Sequence, residues 1–201
     1  MAKALSDLRM TVAEFTRWHD GTDTRHELVD GRPVAMSPPS GRHAIITRNV
    51  FRSLDRRLKD PCGAMFGAGV ARDLEDDECR IPDVFVTCEP VPERIFLDAR
   101  VVVEVLSPST EKEDRTTKLD FYQTLPNVEA VILVWQDKRR VQLHTGGEPR
   151  WPAQYFTGSG TVPLTGLGIE LPLDEIYAGV ELPAASGERR SASRDSRLSG
   201  R

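Results

Sequence analysis

Cysteine is scarce in this 201-residue chain: Cys62, Cys79 and Cys88 are odd in number, far apart, and form no C-x-x-C pair. That pattern indicates neither a disulfide framework nor a thiolate zinc site, so the three read as reduced, structural residues. No apolar run approaches the roughly 18 residues that a membrane span needs. The opening "MAKALSDLRMTVAEF" is broken by polar residues before a secretory h-region can form. A cytoplasmic location away from any membrane is the expectation. An excess of positive charge is also missing, since the formal net charge is −4. This excludes coating of nucleic acid by bulk charge and leaves room for a local basic surface. No P-loop, G-x-G-x-x-G or G-x-S-x-G occurs, so neither a nucleotide cofactor nor a serine nucleophile at Ser107 or Ser109 has support. Internal repeats are absent as well.

What remains is 39% hydrophobic and 29% charged, the balance of one globular domain, expected over residues 1–182. The end, "PAASGERRSASRDSRLSGR", offers one leucine and no aromatic. It cannot bury enough surface to offset its ordering entropy, so residues 183–201 read as a disordered basic tail.

"TVAEFTRWHD" has the apolar spacing of a short amphipathic helix, and "TRHELVDGRPVAMS" that of a hairpin turning at Asp30-Gly31. From His43 to Lys59, Thr47, Val50, Phe51, Leu54 and Leu58 share one helical face, while Arg48, Arg52, Arg56 and Lys59 share another. That stripe is a candidate nucleic-acid contact, though such stripes are more often solvated faces. "GAMFGAGVARDL" reads as two strand pieces or one bent strand, followed by a turn at "EDDE". "IPDVFVTC" and "ARVVVEVLS" are β-branched runs suited to strands covered on both faces and placed in one sheet. A helix follows "SPS", with Thr110 and Glu113 at capping-box spacing or Asp114 capping a slightly later start, and Leu119, Tyr122 and Leu125 facing inward. "EAVILVW" and "RRVQLHT" then form a hairpin, with weaker strand signals near Tyr155 and Val162.

Glu104 breaks the rule of its surroundings. A carboxylate in an apolar strand costs several kcal/mol unless a cation compensates it. Alternation puts it with Val102 and Leu106, opposite Val101, Val103 and Val105. Asp83, after Pro82 at the head of the preceding strand, can converge with it on one hard cation if the strands are neighbours. Lys118, four residues after Asp114 and four before Tyr122, can return to the same cleft from its helix. The plainer alternatives are a structural Glu104–Lys118 ion pair, a strand-entry role for Asp83, and solvated or hydrogen-bonding roles for Glu27 and His43.

The stretches "HELVDGRPVAMSPPSGRHA", "PDVFV" and "VVVEVLSPSTEKEDRTTKLDFYQTLPNVEAVILV" resemble the Uma2 (DUF820) family of the PD-(D/E)XK nuclease-like superfamily, over about residues 10–176. The resemblance implies an α/β, restriction endonuclease-like core, a mixed sheet flanked by helices. It implies a Mg²⁺- or Mn²⁺-dependent endonuclease acting on DNA, with Asp83 and Glu104 as metal ligands joined by the Val105 carbonyl, and Lys118 as the catalytic lysine. Glu27 and His43 match the family's other polar positions and are further catalytic candidates, Glu27 to complete the metal shell or hold a second ion and His43 to contact phosphate or shuttle a proton. The superfamily's lysine usually lies two residues after the acidic ligand, where this chain has Leu106, so the helix supplies it instead. A homodimer would suit the cutting of both strands. The rival expectations are a noncatalytic nucleic-acid-binding or interaction module of the same fold, and a metal-assisted hydrolase of another phosphoester.

Overall fold

The structure, a computed structural model, describes residues 9–108, 111–146 and 151–183. The expected Thr110 cap and the tail beyond residue 183 lie outside the described residues. The chain begins with a one-turn helix α1 (Val12–Phe15), closed by a reciprocal cap between Thr11 and Glu14. The hairpin β1 (His26–Val29) and β2 (Arg32–Ala35) turns where expected, with Asp30 at φ 47° and Gly31 at φ 72°. Both values lie in the left-handed region that tight hairpin turns require.

Helix α2 (Gly41–Asp55) starts at Ser40, whose hydroxyl accepts the His43 amide. Its buried stripe is Ile46, Asn49, Val50, Ser53 and Leu54. That is about one residue's rotation from the expected face, so Thr47 and Phe51 turn to a cleft instead. The helix also stops short of Lys59, ahead of the Asp60-Pro61 bond, since a following proline disfavours the helical conformation at Asp60.

Five short strands come next: β3 (Gly63–Met65), β4 (Gly69–Ala71), β5 (Cys79–Arg80), β6 (Val84–Thr87) and β7 (Ile95–Phe96). β8 (Val101–Leu106) leads through a helical crossover to β9 (Ala130–Trp135). The crossover is one turn of α3 (Glu111–Glu113), a π-helical stretch Asp114–Lys118, and α4 (Leu119–Thr124). The rest is β10 (Arg140–Thr145), β11 (Ala153–Thr157), the pair β12 (Thr161–Leu164) and β13 (Ile169–Pro172), and a closing turn of helix α5 (Leu173–Ile176).

The central sheet has the order β11-β10-β9-β8-β6-β3, and a second sheet has the order β2-β1-β5-β4-β7. "GAMF" and "GAGVA" therefore belong to different sheets. β8 and β9 are parallel, from Val101 opposite Ala130 to Leu106 opposite Trp135, as their long crossover requires. β6 is antiparallel to β8, with Val84 opposite Val103. All six residues of β8 are buried. Val101, Val103 and Val105 pack with Ile46, Val50 and Leu54 of α2. Val102 and Leu106 pack on the other face with Leu119, Tyr122 and Leu125. The alternation expected for β8 is the one observed.

The cysteine expectation needs correction: Cys62 and Cys88 form a disulfide, and only Cys79 is free and buried. Gly63 lies opposite Thr87 across β3 and β6, so the next position of the ladder sets Cys62 opposite Cys88. Their separation of 26 residues concealed a contact that strand register creates. No helix among the described residues is long and apolar enough to cross a membrane.

Candidate active site

The chain passes from the smaller sheet to the central one through Ile81, Pro82 and Asp83, between β5 and β6. Continuing the β6–β8 ladder past Val84 and Val103 sets Asp83 opposite Glu104. Asp83 is drawn to β8 by a 2.7 Å hydrogen bond in which the Val105 amide donates to Oδ2. His43 Nε2, from the first turn of α2, lies 3.1 Å from the same oxygen. Asp83 thus spans the end of the ladder, with α2 on one side and Glu104 on the other.

Glu104 faces the helical crossover. Tyr122 donates its hydroxyl to Oε1 at 2.5 Å, and Lys118 Nζ lies 3.3 Å from the same oxygen. The lysine turns inward, with 12% of its side chain exposed, and also meets Glu27 Oε1 at 3.3 Å and Asp114 Oδ1 at 3.6 Å. Lys118 ends the π-helical stretch, whose wider turn still places Asp114, four residues earlier, against it. Glu27 is held at three points: the Ile81 amide donates to Oε1 at 3.0 Å, Lys118 faces that oxygen, and Arg80 approaches Oε2 at 3.4 Å. Arg80 is wholly buried and also reaches Glu78 at 2.8 Å and Glu113 at 3.2 Å.

The electrostatics follow from burial. Loss of water pushes the Glu104 carboxyl well above the usual range, Lys118 opposes this, and Asp83 and Asp114 add to it. Desolvation works against the Lys118 charge, but Glu104, Glu27 and Asp114 outweigh it and raise its pKa. Burial likewise raises the Tyr122 hydroxyl, and the Glu104 charge adds to it, so Tyr122 stays a donor. Lys118 and the buried Arg80, which share Glu27, are the fixed positive charges of this region.

Among the expected residues, Asp83, Glu104, Lys118, Glu27 and His43 come together. Val105 adjoins them, because in a strand the N–H and C=O of one residue project from the same edge, and its N–H already meets Asp83. The basic stripe is split. Arg48 and Arg52 line a cleft that leads to His43 and Asp83, whereas Arg56 pairs with Glu175 at 2.8 Å and Lys59 lies past the helix end. Arg80 and the hydroxyl of Tyr122 were not foreseen as parts of the site. Each had a signal: an arginine flanked by Cys79 and Ile81 before an apolar strand, and a phenol on an inward helix face that needs a partner.

Two carboxylates in cross-strand register with a main-chain oxygen beside them are a hard-oxygen donor set, which suits Mg²⁺ or Mn²⁺ completed by water. Among the described residues, no group of three or more His, Cys, Asp or Glu side chains is gathered around a metal position. A closed protein cage for a metal is therefore not formed among the described residues.

A protein of Synechocystis, "Uncharacterized protein slr1290", is 27% identical over 184 residues, covering 86% of this chain and 93% of that one. A second from the same organism, "Uncharacterized protein sll1609", is 24% identical over 149 residues, covering 71% and 84%. The fold is shared with a crystal structure from Anabaena variabilis described as "a putative nuclease belonging to DUF820", at TM-score 0.66 and 19% identity over 84% of this chain and 97% of that one. The Uma2 family, described as "Putative restriction endonuclease", matches residues 12–174, from the first residue of α1 into α5. Spanning both sheets and every residue of the Lys118 cluster, that match makes the chain a member of the Uma2 family.

Proposed function

We propose that the chain is a divalent-metal-dependent endonuclease that hydrolyses DNA phosphodiester bonds at the Asp83–Glu104 edge. The observation that carries this reading is the β6–β8 register, which continued by one residue sets Asp83 opposite Glu104, together with Lys118 Nζ at 3.3 Å from Glu104 Oε1. Asp83, Glu104 and the Val105 carbonyl would hold the cation. When bound, Mg²⁺ or Mn²⁺ lowers the pKa of a coordinated water and polarises a phosphoryl oxygen. Lys118, kept charged by its carboxylates, orients the attacking water or offsets charge growing on the phosphate. The water oxygen bonds to phosphorus as the P–O bond opposite it breaks.

Glu27 acts as a positioning residue, because its oxygens are engaged by Ile81, Lys118 and Arg80. His43 fixes the rotamer of Asp83, as a hydrogen-bonded partner orients a metal-ligating carboxylate. The Uma2 description and the DUF820 nuclease fold support the reaction class.

The test is incubation of supercoiled plasmid, single-stranded circular DNA and RNA with the protein under Mg²⁺, Mn²⁺ or EDTA. Asp83→Ala, Glu104→Ala and Lys118→Ala are assayed alongside. The expected result is DNA cleavage that requires metal and falls at least about a hundredfold in each variant. Cleavage that persists in EDTA, or in all three variants, removes the mechanism. A second reading rests on the Glu104–Lys118 contact itself, a buried pair that holds a noncatalytic nucleic-acid-binding module together. On that reading neither cation binds, and nucleic acid binds equally well without them.

A further inference from the structure

Phe66 is 64% exposed, in the turn between β3 and β4. Its ring stands edge-to-face against Phe51 of α2, centroids 5.1 Å apart. The two rings line a cleft of about 500 Å³ that ends at His43 and Asp83. Three guanidinium groups, Arg25, Arg48 and Arg52, share that lining. Two are tethered: Arg25 donates to the Gly67 carbonyl at 2.9 Å, and Arg48 donates to Asn49 Oδ1 at 3.0 Å. Asn49 is itself fixed by bonds to the carbonyls of Ile176 and Ala178.

An aromatic face open to solvent, beside tethered arginines, is the arrangement that stacks an unpaired base and holds its phosphates. A base inside a duplex cannot present its face to such a ring. The volume is in the range of sites that enclose a small aromatic ligand. The apolar lining also argues against a track that reads backbone charge alone.

We propose that this cleft binds single-stranded DNA, with an unpaired base stacked on Phe66 and the adjoining phosphates at Arg25, Arg48 and Arg52, so that the strand leads toward Asp83. The inference rests on the nuclease reading for what happens at Asp83, but the binding does not depend on catalysis. An unpaired stretch, and not a uniform duplex, is then the substrate.

The experiment is fluorescence anisotropy in EDTA with a labelled 12-mer of thymidylate, the same length of abasic backbone, a hairpin duplex and a 12-mer of uridylate. Wild type, Phe66→Ala and Phe66→Tyr are compared. The thymidylate 12-mer should bind roughly 5- to 150-fold tighter than the abasic strand or the duplex. Phe66→Ala should bring its affinity down to that of the abasic strand without weakening the abasic strand further, and Phe66→Tyr should retain it. Because the ring is exposed, loss of folding does not explain the alanine result, and circular dichroism checks this. Equal affinity for the duplex, wild-type binding by Phe66→Ala, tighter binding of the uridylate, or no binding by any strand overturns the proposal. If Phe66→Ala binds as wild type while Asp83→Ala abolishes plasmid cleavage, this inference fails and the nuclease reading stands. If cleavage ignores all three site variants while the Phe66 effect holds, the reverse is true.

Discussion

Two glutamates of this chain, each beside cations, titrate in opposite directions. Glu175, on α5, takes Arg57 at 2.7 Å and Arg56 at 2.8 Å, with a hydrogen bond from Ser53, and a third of its side chain faces water. Its carboxyl is pulled down to about 2, first by the Arg57 and Ser53 hydrogen bonds. Glu104 has Lys118 and the Tyr122 hydroxyl, yet burial pushes its carboxyl far upward. Partners alone do not decide the state of a carboxylate; the water left around it does. The outer cluster stitches α5 to α2 over the aliphatic face of the sheet. The inner one gathers Glu104, Glu27 and Asp114 around Lys118, largely out of water.

The sharpest way to break this comparison is to remove the inner cation. Lys118→Ala takes the ammonium away from Glu104 and Asp114 and leaves Glu27 to Arg80, and should cost about 3–5 kcal/mol in urea unfolding at neutral pH. Lys118→Met keeps most of the stem, so an equal loss assigns the effect to charge and a much smaller one to packing. The deficit should shrink as pH falls, because Glu104 without its cation takes up a proton. A deficit unchanged with pH would show that the inner cluster is not electrostatic in origin.

The aliphatic face supplies the control. Ile132, on β9 opposite Val103, is 1% exposed in the cluster beneath α2. Ile132→Ala should cost about 2–5 kcal/mol through the cavity it leaves, with no pH dependence and no loss of cleavage per folded molecule. Tyr122→Phe comes next. It removes a single donor to Glu104, at about 1–3 kcal/mol, and raises the Glu104 carboxyl further. Cleavage should then require a higher pH, which a pH–rate profile would detect.

Much of this was legible because single strands announce themselves. The run "VVVEVL" shows its alternation, and Glu104 stands out by violating it. The hairpin at Asp30-Gly31 was legible for the same local reason, whereas Asp83 gained meaning only from the expectation that its strand neighbours the one bearing Glu104. Lys118 was placed by helical spacing, which survives the π-helical stretch because Asp114 still meets it. The parts that escaped depend on pairings between distant segments. Cys62 and Cys88 meet only through the β3–β6 register. Arg80 becomes a site residue only once β5 is laid against β1, opposite Leu28 through Cys79. The basic stripe looked continuous because a helical wheel ignores what lies beyond the helix. It cannot know that Glu175, 119 residues after Arg56, will claim that arginine.

The smallest effect is expected at Glu175 itself, and its sign is fixed by the depressed pKa. A carboxyl held at about 2 in the folded chain, against an ordinary value of 4.5, stabilises the fold above pH 4.5. That contribution fades as pH falls from there toward 2. Glu175→Gln removes the charge, so the variant should unfold more easily than wild type near neutrality, and the gap should close in acid. Partial exposure and screening keep the difference below about 1 kcal/mol, and salt should reduce it further. Thermal unfolding of both proteins across that pH range is the measurement. A gap that widens in acid would mean that Glu175 is desolvated like Glu104, and the contrast between the two carboxylates would disappear.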